Sequence, residues 1–236
     1  MTSASESVSG TRLLIALGLW IVGAFLAGSG TLALAHGSAG AAPIIVAEVY
    51  IILIGALVAV IRPTQALGLT RTRSVDVALA AAACVIAYAI AAFIQSVLLP
   101  WSWSSTVDIL RAMGSDNGRL ASSSASITAV ILVRACLLAP LAEEMLFRGV
   151  LFAWLRRRLS SGAVVLLTAA AHTAIHGLPA VMPLVFVMGL GFGWIRERSG
   201  SVTAVIIVHA LHNAAMVVFA YQSAGWTAHL PAWSGQ

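Results

Sequence analysis

Seven apolar stretches dominate this chain, at about 13–35, 43–61, 76–99, 125–155, 162–176, 178–195 and 201–221. Most reach or approach the roughly 18–20 residues that a helix needs to cross ~30 Å of hydrocarbon. Within them, as at 44–61, side chains are apolar nearly all round and lack the period of two that a barrel strand would show, so in lipid they read as helices. Only 9% of the 236 residues are charged, against about 25% in an ordinary soluble domain. That balance excludes a cytosolic globule, and the spans leave no room for a separate soluble domain. The expected fold is all-α, a polytopic transmembrane helical bundle of about seven spans.

All thirteen basic residues are arginine. Arg12, Arg62, Arg71, Arg73, Arg156, Arg157, Arg158, Arg196 and Arg198 fall in alternate connections, and only Arg111 and Arg119 in the others. The positive-inside rule therefore predicts a cytoplasmic N-terminus and an external C-terminus in the cell membrane. This scatter in ones to threes accounts for the net charge of +5 as topology and argues against a nucleic-acid partner. Ala33-Leu34-Ala35 has the small-x-small pattern of a signal-peptidase site, but the stretch after Arg12 is longer than an h-region of about 7–15 residues and favours a retained anchor. The expected organisation is a three-span accessory region at 1–124, a helical core carrying the chemistry at 125–221, and an external tail at 222–236. Within it, 100–124, which opens with Trp101 and Trp103, is expected to lie along the outer interface. The stretch 125–155 would be about 46 Å long if straight and contains Pro140, so a kink or strong tilt is expected. Cys84 and Cys136 lie inside apolar runs and form neither a zinc ribbon nor a spaced disulfide pair. No internal repeat is visible, which weighs against a secondary transporter.

A charge at the centre of a span costs at least ~2.5–3.5 kcal/mol, so the ionisable residues of the spans carry the information: Glu48, Arg134, Glu143, Glu144 and Arg148, with the polar His172, His176, His209, His212 and Asn213. At 1.5 Å per residue from the cytoplasmic ends, Glu143 lies about 20 Å deep, His176 about 21 Å, and His209 and Asn213 about 12 and 18 Å. Glu144 with Arg148, His172 with His176, and His209 with Asn213 are each spaced i, i+4 and share a helix face. Two adjacent carboxylates cannot both be cheaply ionised in a low dielectric unless Arg148 compensates one. Such a set suits a carboxylate that takes a proton from water, imidazoles that orient the water or bind a metal, and an Asn that donates to an oxyanion.

The segment Pro140-Leu141-Ala142-Glu143-Glu144-Met145-Leu146-Phe147-Arg148-Gly149 resembles the EExxxR signature of the CAAX protease and bacteriocin-processing (CPBP, or Abi) family of intramembrane proteases. The family's second motif, Phe-x-x-x-His, is matched at 172–176 with His172 in place of Phe, or alternatively at 168–172 with Thr168 in that place. Its third motif, His-x-x-x-Asn, is matched by His209 and Asn213. The resemblance covers about 125–215. It implies an intramembrane endopeptidase in which Glu143 activates water, Glu144 and Arg148 support it, His176 supplies the second motif, and His209 and Asn213 the third. The substrate it implies is a membrane-embedded or lipid-anchored peptide. It admits Zn2+ as cofactor, with His176 and His209 as candidate metal ligands, and equally a metal-free mechanism.

Plainer readings stand beside these. Glu143, Glu144 and Arg148 suit a structural ion-pair knot, His172 and His212 suit interhelical hydrogen bonds, and Glu48 with Arg134 suits packing or pairing. Gly189, Gly191 and Gly193 permit close helix approach and do not make a nucleotide loop. The competing functions are a proton-coupled channel or carrier, since buried Glu/His/Arg relays also serve proton paths, and a non-proteolytic membrane scaffold.

Overall fold

A computed structural model describes residues 8–34, 42–61, 68–99, 129–130, 132–176 and 179–227. The expected interfacial segment at 100–124 and the tail beyond 227 lie outside these residues. Among those described, the chain forms seven helical segments and no strand: α1 (Gly10–Leu34), α2 (Ala42–Val60), α3 (Ser74–Phe93, prolonged by a π-turn at Ile94–Leu98), α4 (134–156), α5 (Ser161–Ala174), α6 (Met182–Ser199) and α7 (Thr203–Thr227). Each coincides with one of the apolar stretches, and α7 continues to Thr227 where 221 was the expected limit. Among the described residues one helix, Ser74–Leu98, is long and apolar enough by length and composition to cross a membrane. Shorter apolar stretches lie in α1, α2, α5 and α7.

The distortion expected at Pro140 is spread over two wide turns. Pro140 stands at the start of a short α-helical piece, Ala139–Glu144, with π-turns at Arg134–Leu138 before it and Met145–Leu151 after it. Proline has no N–H, so a carbonyl one turn earlier loses its usual partner, and a wider turn restores the pairing from a different donor. The hydrogen bond from Ala139 N–H to Arg134 O, five residues back, is of this wider kind.

α4 is the hub of the fold, for α1, α2, α5, α6 and α7 all pack against it. On one side Leu13, Ala16 and Trp20 of α1 and Leu57 of α2 enclose Met145, Leu146, Phe147 and Val150. On the other, Ala80, Cys84 and Ala87 of α3 pack with Met188, Phe192 and Ile195 of α6 and Ala204, Val205 and Val208 of α7. The alternating glycines of α6 serve both neighbours. A Cβ at Gly189 would come 3.0 Å from Ala169 Cβ on α5, and one at Gly191 would come 2.8 Å from Ala83 Cβ on α3. Small residues let the backbones approach to this distance.

The end of the bundle that carries the α6–α7 turn is closed by polar ties. Gly200 ends α6 in the left-handed conformation (φ 69°), its N–H donating to Arg196 O at 3.0 Å. Ser201 Oγ accepts the Thr203 N–H at 3.2 Å and opens α7. Gly68 O accepts the Val202 N–H at 2.8 Å, and Arg73 grips the buried Asp76 through two hydrogen bonds of 2.9 and 3.1 Å. Elsewhere the exterior is greasy: Leu14, Ile21, Ile52, Val85, Phe93, Leu98 and Leu211 are each 61–71% exposed, more apolar surface than a water-soluble monomer ordinarily shows.

Candidate active site

Between the two apolar clusters α4, α5 and α7 bring together a connected polar group. Arg148, fully buried on the second π-turn of α4, donates from Nη1 to Glu144 Oε1 at 3.0 Å and to His172 Nδ1 at 3.1 Å, and from Nη2 to Gly189 O at 3.4 Å. The last contact depends on the absence of a side chain at 189, where a Cβ would stand 3.3 Å from Nη2. The guanidinium lies 5.7 Å from the centroid of the Phe192 ring, a favourable cation–π approach.

The hydrogen-bond partners fix the imidazoles. A guanidinium only donates, so His172 Nδ1 is an acceptor and the ring proton sits on Nε2. Nε2–H then donates to Glu143 Oε2 at 3.1 Å. His209 donates Nδ1–H to Glu144 Oε1 at 2.8 Å, which leaves the Nε2 lone pair free, 4.0 Å from Glu143 Oε2. His176 donates Nδ1–H to the backbone carbonyl of His172 at 2.9 Å, and its Nε2 is likewise free to accept.

The two glutamates are thereby separated in role. Glu144 is 0% exposed and held by Arg148 and His209, whereas the Glu143 side chain keeps 13% of its surface. The sequence-level question of which carboxylate Arg148 compensates is answered by the direct pairing with Glu144. Glu143 is the more exposed of the two carboxylates.

The sequence-predicted residues are not all equivalent in space. Glu143, Glu144, Arg148 and His209 join one network, together with His172, which the sequence reading treats as an interhelical hydrogen-bonder. His176 lies one step out, its ring edge-on to His172 at 5.0 Å between centroids. α5 ends at Ala174, before His176, yet His172 and His176 still place donor atoms within 4.8 Å of each other and of Glu143. Asn213 donates Nδ2–H to Ala135 O at 2.8 Å, which uses one of its two amide protons and anchors α7 to the first π-turn. Glu48 is exposed, and among the described residues it makes no ion pair with Arg134. His212 faces the far side of α7, where its Nδ1 is 2.9 Å from Tyr88 Oη.

Two contributors escape the sequence reading. Tyr50 on α2 stands within electrostatic reach of Glu143 and Arg134, and a lone tyrosine in an apolar run gives no sign of it. Arg196 donates Nε to the backbone carbonyl of Arg148 at 2.9 Å. Its guanidinium lies 5.6 Å from the Phe152 ring centroid and presses on Gly68 (φ 68°), where a Cβ would come 3.1 Å from Cζ. Arg196 counts in the sequence as a topology signal, which hid this second use.

For a metal, Glu143, His172 and His176 offer donor atoms all within 4.8 Å of one another, a possible Glu/His/His group. The ring of His172 is committed, however: with Arg148 donating to Nδ1, the proton on Nε2 occupies the lone-pair direction a metal would need. A metal at this group therefore requires the Arg148–His172 contact to break. His176 and His209, each with Nδ1–H held by an acceptor and Nε2 free, have the ring orientation of metal-ligating histidines, but His209 lies outside the 4.8 Å group.

No curated protein and no solved structure matches the chain. A family model does. It spans the side chains of α4, α5 and α7 described above: residues 125–215 match the model of the Rce1-like type II CAAX prenyl endopeptidases.

Proposed function

We propose that the protein is a multi-pass intramembrane endopeptidase that hydrolyses a peptide bond of a membrane-embedded or lipid-anchored substrate with water activated by Glu143. The observation that carries this reading is the 4.0 Å separation of Glu143 Oε2 and His209 Nε2. Two acceptors at that distance are both reached by one water at hydrogen-bond length, about 2.8 Å from each. Such a water gives one proton to each acceptor and turns a lone pair toward the scissile carbonyl. Glu143 takes the proton as the oxygen attacks and later returns it to the leaving amine. The second amide proton of Asn213 serves the oxyanion. Glu144, Arg148 and His172 are positioning residues, since they hold His209 and Glu143 in orientation, and His176 lies at the rim.

The exposed apolar side chains support a bilayer setting, with seven spans, a cytoplasmic N-terminus and an external C-terminus proposed from the arginine distribution. The family match favours CAAX-type proteolysis, and the Glu143/His172/His176 group would hold a divalent ion such as Zn2+ only after the Arg148–His172 contact breaks. A bound ion of that kind would supply Lewis-acid activation. No step above depends on one.

The test is proteolysis by purified protein in detergent, with a lipid-anchored peptide library in H2(18)O. New C-termini carrying one heavy oxygen are expected, and the activity is expected to survive dialysis against 1,10-phenanthroline. More than about tenfold loss restored by Zn2+ would assign a metal to the site. Absence of cleavage combined with Glu143-dependent proton flux in proteoliposomes would replace the proteolytic reading with a carrier.

A further inference from the structure

One face of α6 meets Arg148 at both its ends. Gly189, Phe192 and Arg196 stand at i, i+3 and i+7 along that helix, a single face over two turns. Gly189 O accepts Nη2 of Arg148 at 3.4 Å, and the Phe192 ring centroid lies 5.7 Å from the guanidinium. Arg196 reaches the main chain of the same residue, its Nε donating to Arg148 O at 2.9 Å. The head and the backbone of Arg148 are thus both held by a neighbouring helix.

The backbone contact falls where α4 departs from regular geometry. In an α-helix the N–H of residue 152 donates to the carbonyl four residues back, which is Arg148 O. Here Met145–Leu151 is a π-turn, and the Phe152 N–H goes instead to Phe147 O and Gly149 O. Arg148 O, passed over by that donor, is taken up by Arg196. The Arg196 guanidinium also lies 5.6 Å from the Phe152 ring centroid, so one side chain touches both the inside of the turn and the first residue beyond it. A wide turn holds the equivalent of one extra residue, and closing it would rotate the residues before it by about 100° relative to those after it. Glu143 and Glu144 precede the turn and Arg148 lies within it, so their bearing on His172 and His209 depends on its being kept.

We infer that Arg196 is a positioning residue for the reaction: by capping the Arg148 carbonyl it keeps the π-turn wide and Arg148 aimed at Glu144 and His172. Through Glu144 it keeps the His209 proton on Nδ1 and leaves Nε2 open to water. This inference rests on the proteolytic reading for its effect on turnover, and its structural half is measured without substrate.

Arg196→Met, Arg196→Lys and Glu197→Gln proteins are prepared in detergent with 15N-labelled histidine. The last removes the Arg156–Glu197 pair at the same end of the bundle and serves as the control. Two-bond proton–nitrogen spectra report which ring nitrogen carries the proton, with the His209 signal assigned by its loss in His209→Asn. The Nδ1–H form is expected to dominate in the wild type and in Glu197→Gln, and its ratio to the Nε2–H form to fall about tenfold or more in Arg196→Met. Arg196→Lys is expected to recover most of that preference, since an ammonium still donates to a carbonyl. With a peptide that the wild type cleaves, Arg196→Met is expected to lower kcat about tenfold to a hundredfold at unchanged KM, because the change lies in the geometry around the reacting water. A wild type with its His209 proton on Nε2 overturns the inference, as does an Arg196→Met protein with the wild-type His209 signal and kcat. Equal losses in Arg196→Met and Arg196→Lys would assign the effect to packing on Phe152 and Gly68, and an equal loss in Glu197→Gln to a general loosening of that end; either overturns it. An Arg196→Met protein that does not fold assigns the residue to the stability of the bundle and overturns it too. A wild type that cleaves no peptide counts against the proteolytic reading, and the histidine spectra then decide the role of Arg196 alone.

Discussion

Replacing Arg148 with methionine is expected to destabilise the fold by about 3–5 kcal/mol, the cost of leaving a buried charge without its partner. Arg148 and Glu144 are both 0% exposed and joined at 3.0 Å, so removal of the guanidinium strands a carboxylate in a low-dielectric interior. Glu144 already has one buried oxygen, Oε2, with no hydrogen-bond partner, and it would keep only the His209 contact. His172 Nδ1 and Gly189 O lose their donor in the same substitution. Thermal or denaturant unfolding in detergent measures the loss. Arg148→Lys is expected to recover little of it, because a single ammonium on a flexible stem cannot reach Glu144, His172 and Gly189 in the geometry the fork provides. A Glu144→Gln, Arg148→Met double variant nearer to wild type than Arg148→Met alone would identify the stranded charge as the cause. An unchanged unfolding midpoint in Arg148→Met would refute the ion pair as a structural element.

Glu143→Gln is expected to show the opposite signature. Turnover should fall by roughly 10²–10⁴-fold or below detection, the range associated with loss of a general base, while the fold is preserved. Glutamine has the same volume and keeps a carbonyl oxygen that accepts the His172 Nε2–H. The substitution also removes a buried carboxylate that has no direct pairing with Arg148, so the unfolding midpoint is expected to stay or to rise. Paired measurements of cleavage and unfolding on the same preparation check both halves. A variant that cleaves at the wild-type rate rules out Glu143 as base, and one that unfolds readily places it among the structural residues with Arg148.

Much of the fold is legible in the sequence because the bilayer scale imposes it. Among the described residues the apolar stretches form seven helices, and Pro183 stands in the first turn of α6. The Glu143, Glu144, Arg148 and His209 cluster is legible for a related reason: charges in apolar runs are costly and must find one another. The separate surroundings of His172 and His176 are not, because i, i+4 spacing describes a helix face only while the helix lasts, and α5 stops at Ala174. Val164, Thr168 and His172, four residues apart, are buried along α5, while His176 follows the helix end and still offers a donor atom within 4.8 Å of those of His172 and Glu143. The two π-turns of α4 escape a sequence reading because periodicity assumes 3.6 residues per turn, and a wider turn rotates every later side chain. Asn213 is foreseen as an oxyanion donor, but its bond to Ala135 O depends on where α7 meets that wider turn, a tertiary fact with no local sequence cue.

Arg196 gives the architecture a mechanical property. A single planar group touches the glycine turn at 68 on one side and, on the other, the main chain of the residue that neutralises Glu144. One side chain thus joins the edge of the bundle at Gly68 to the backbone of the buried residue paired with Glu144, so the outermost turn and the innermost ion pair rest on a common brace.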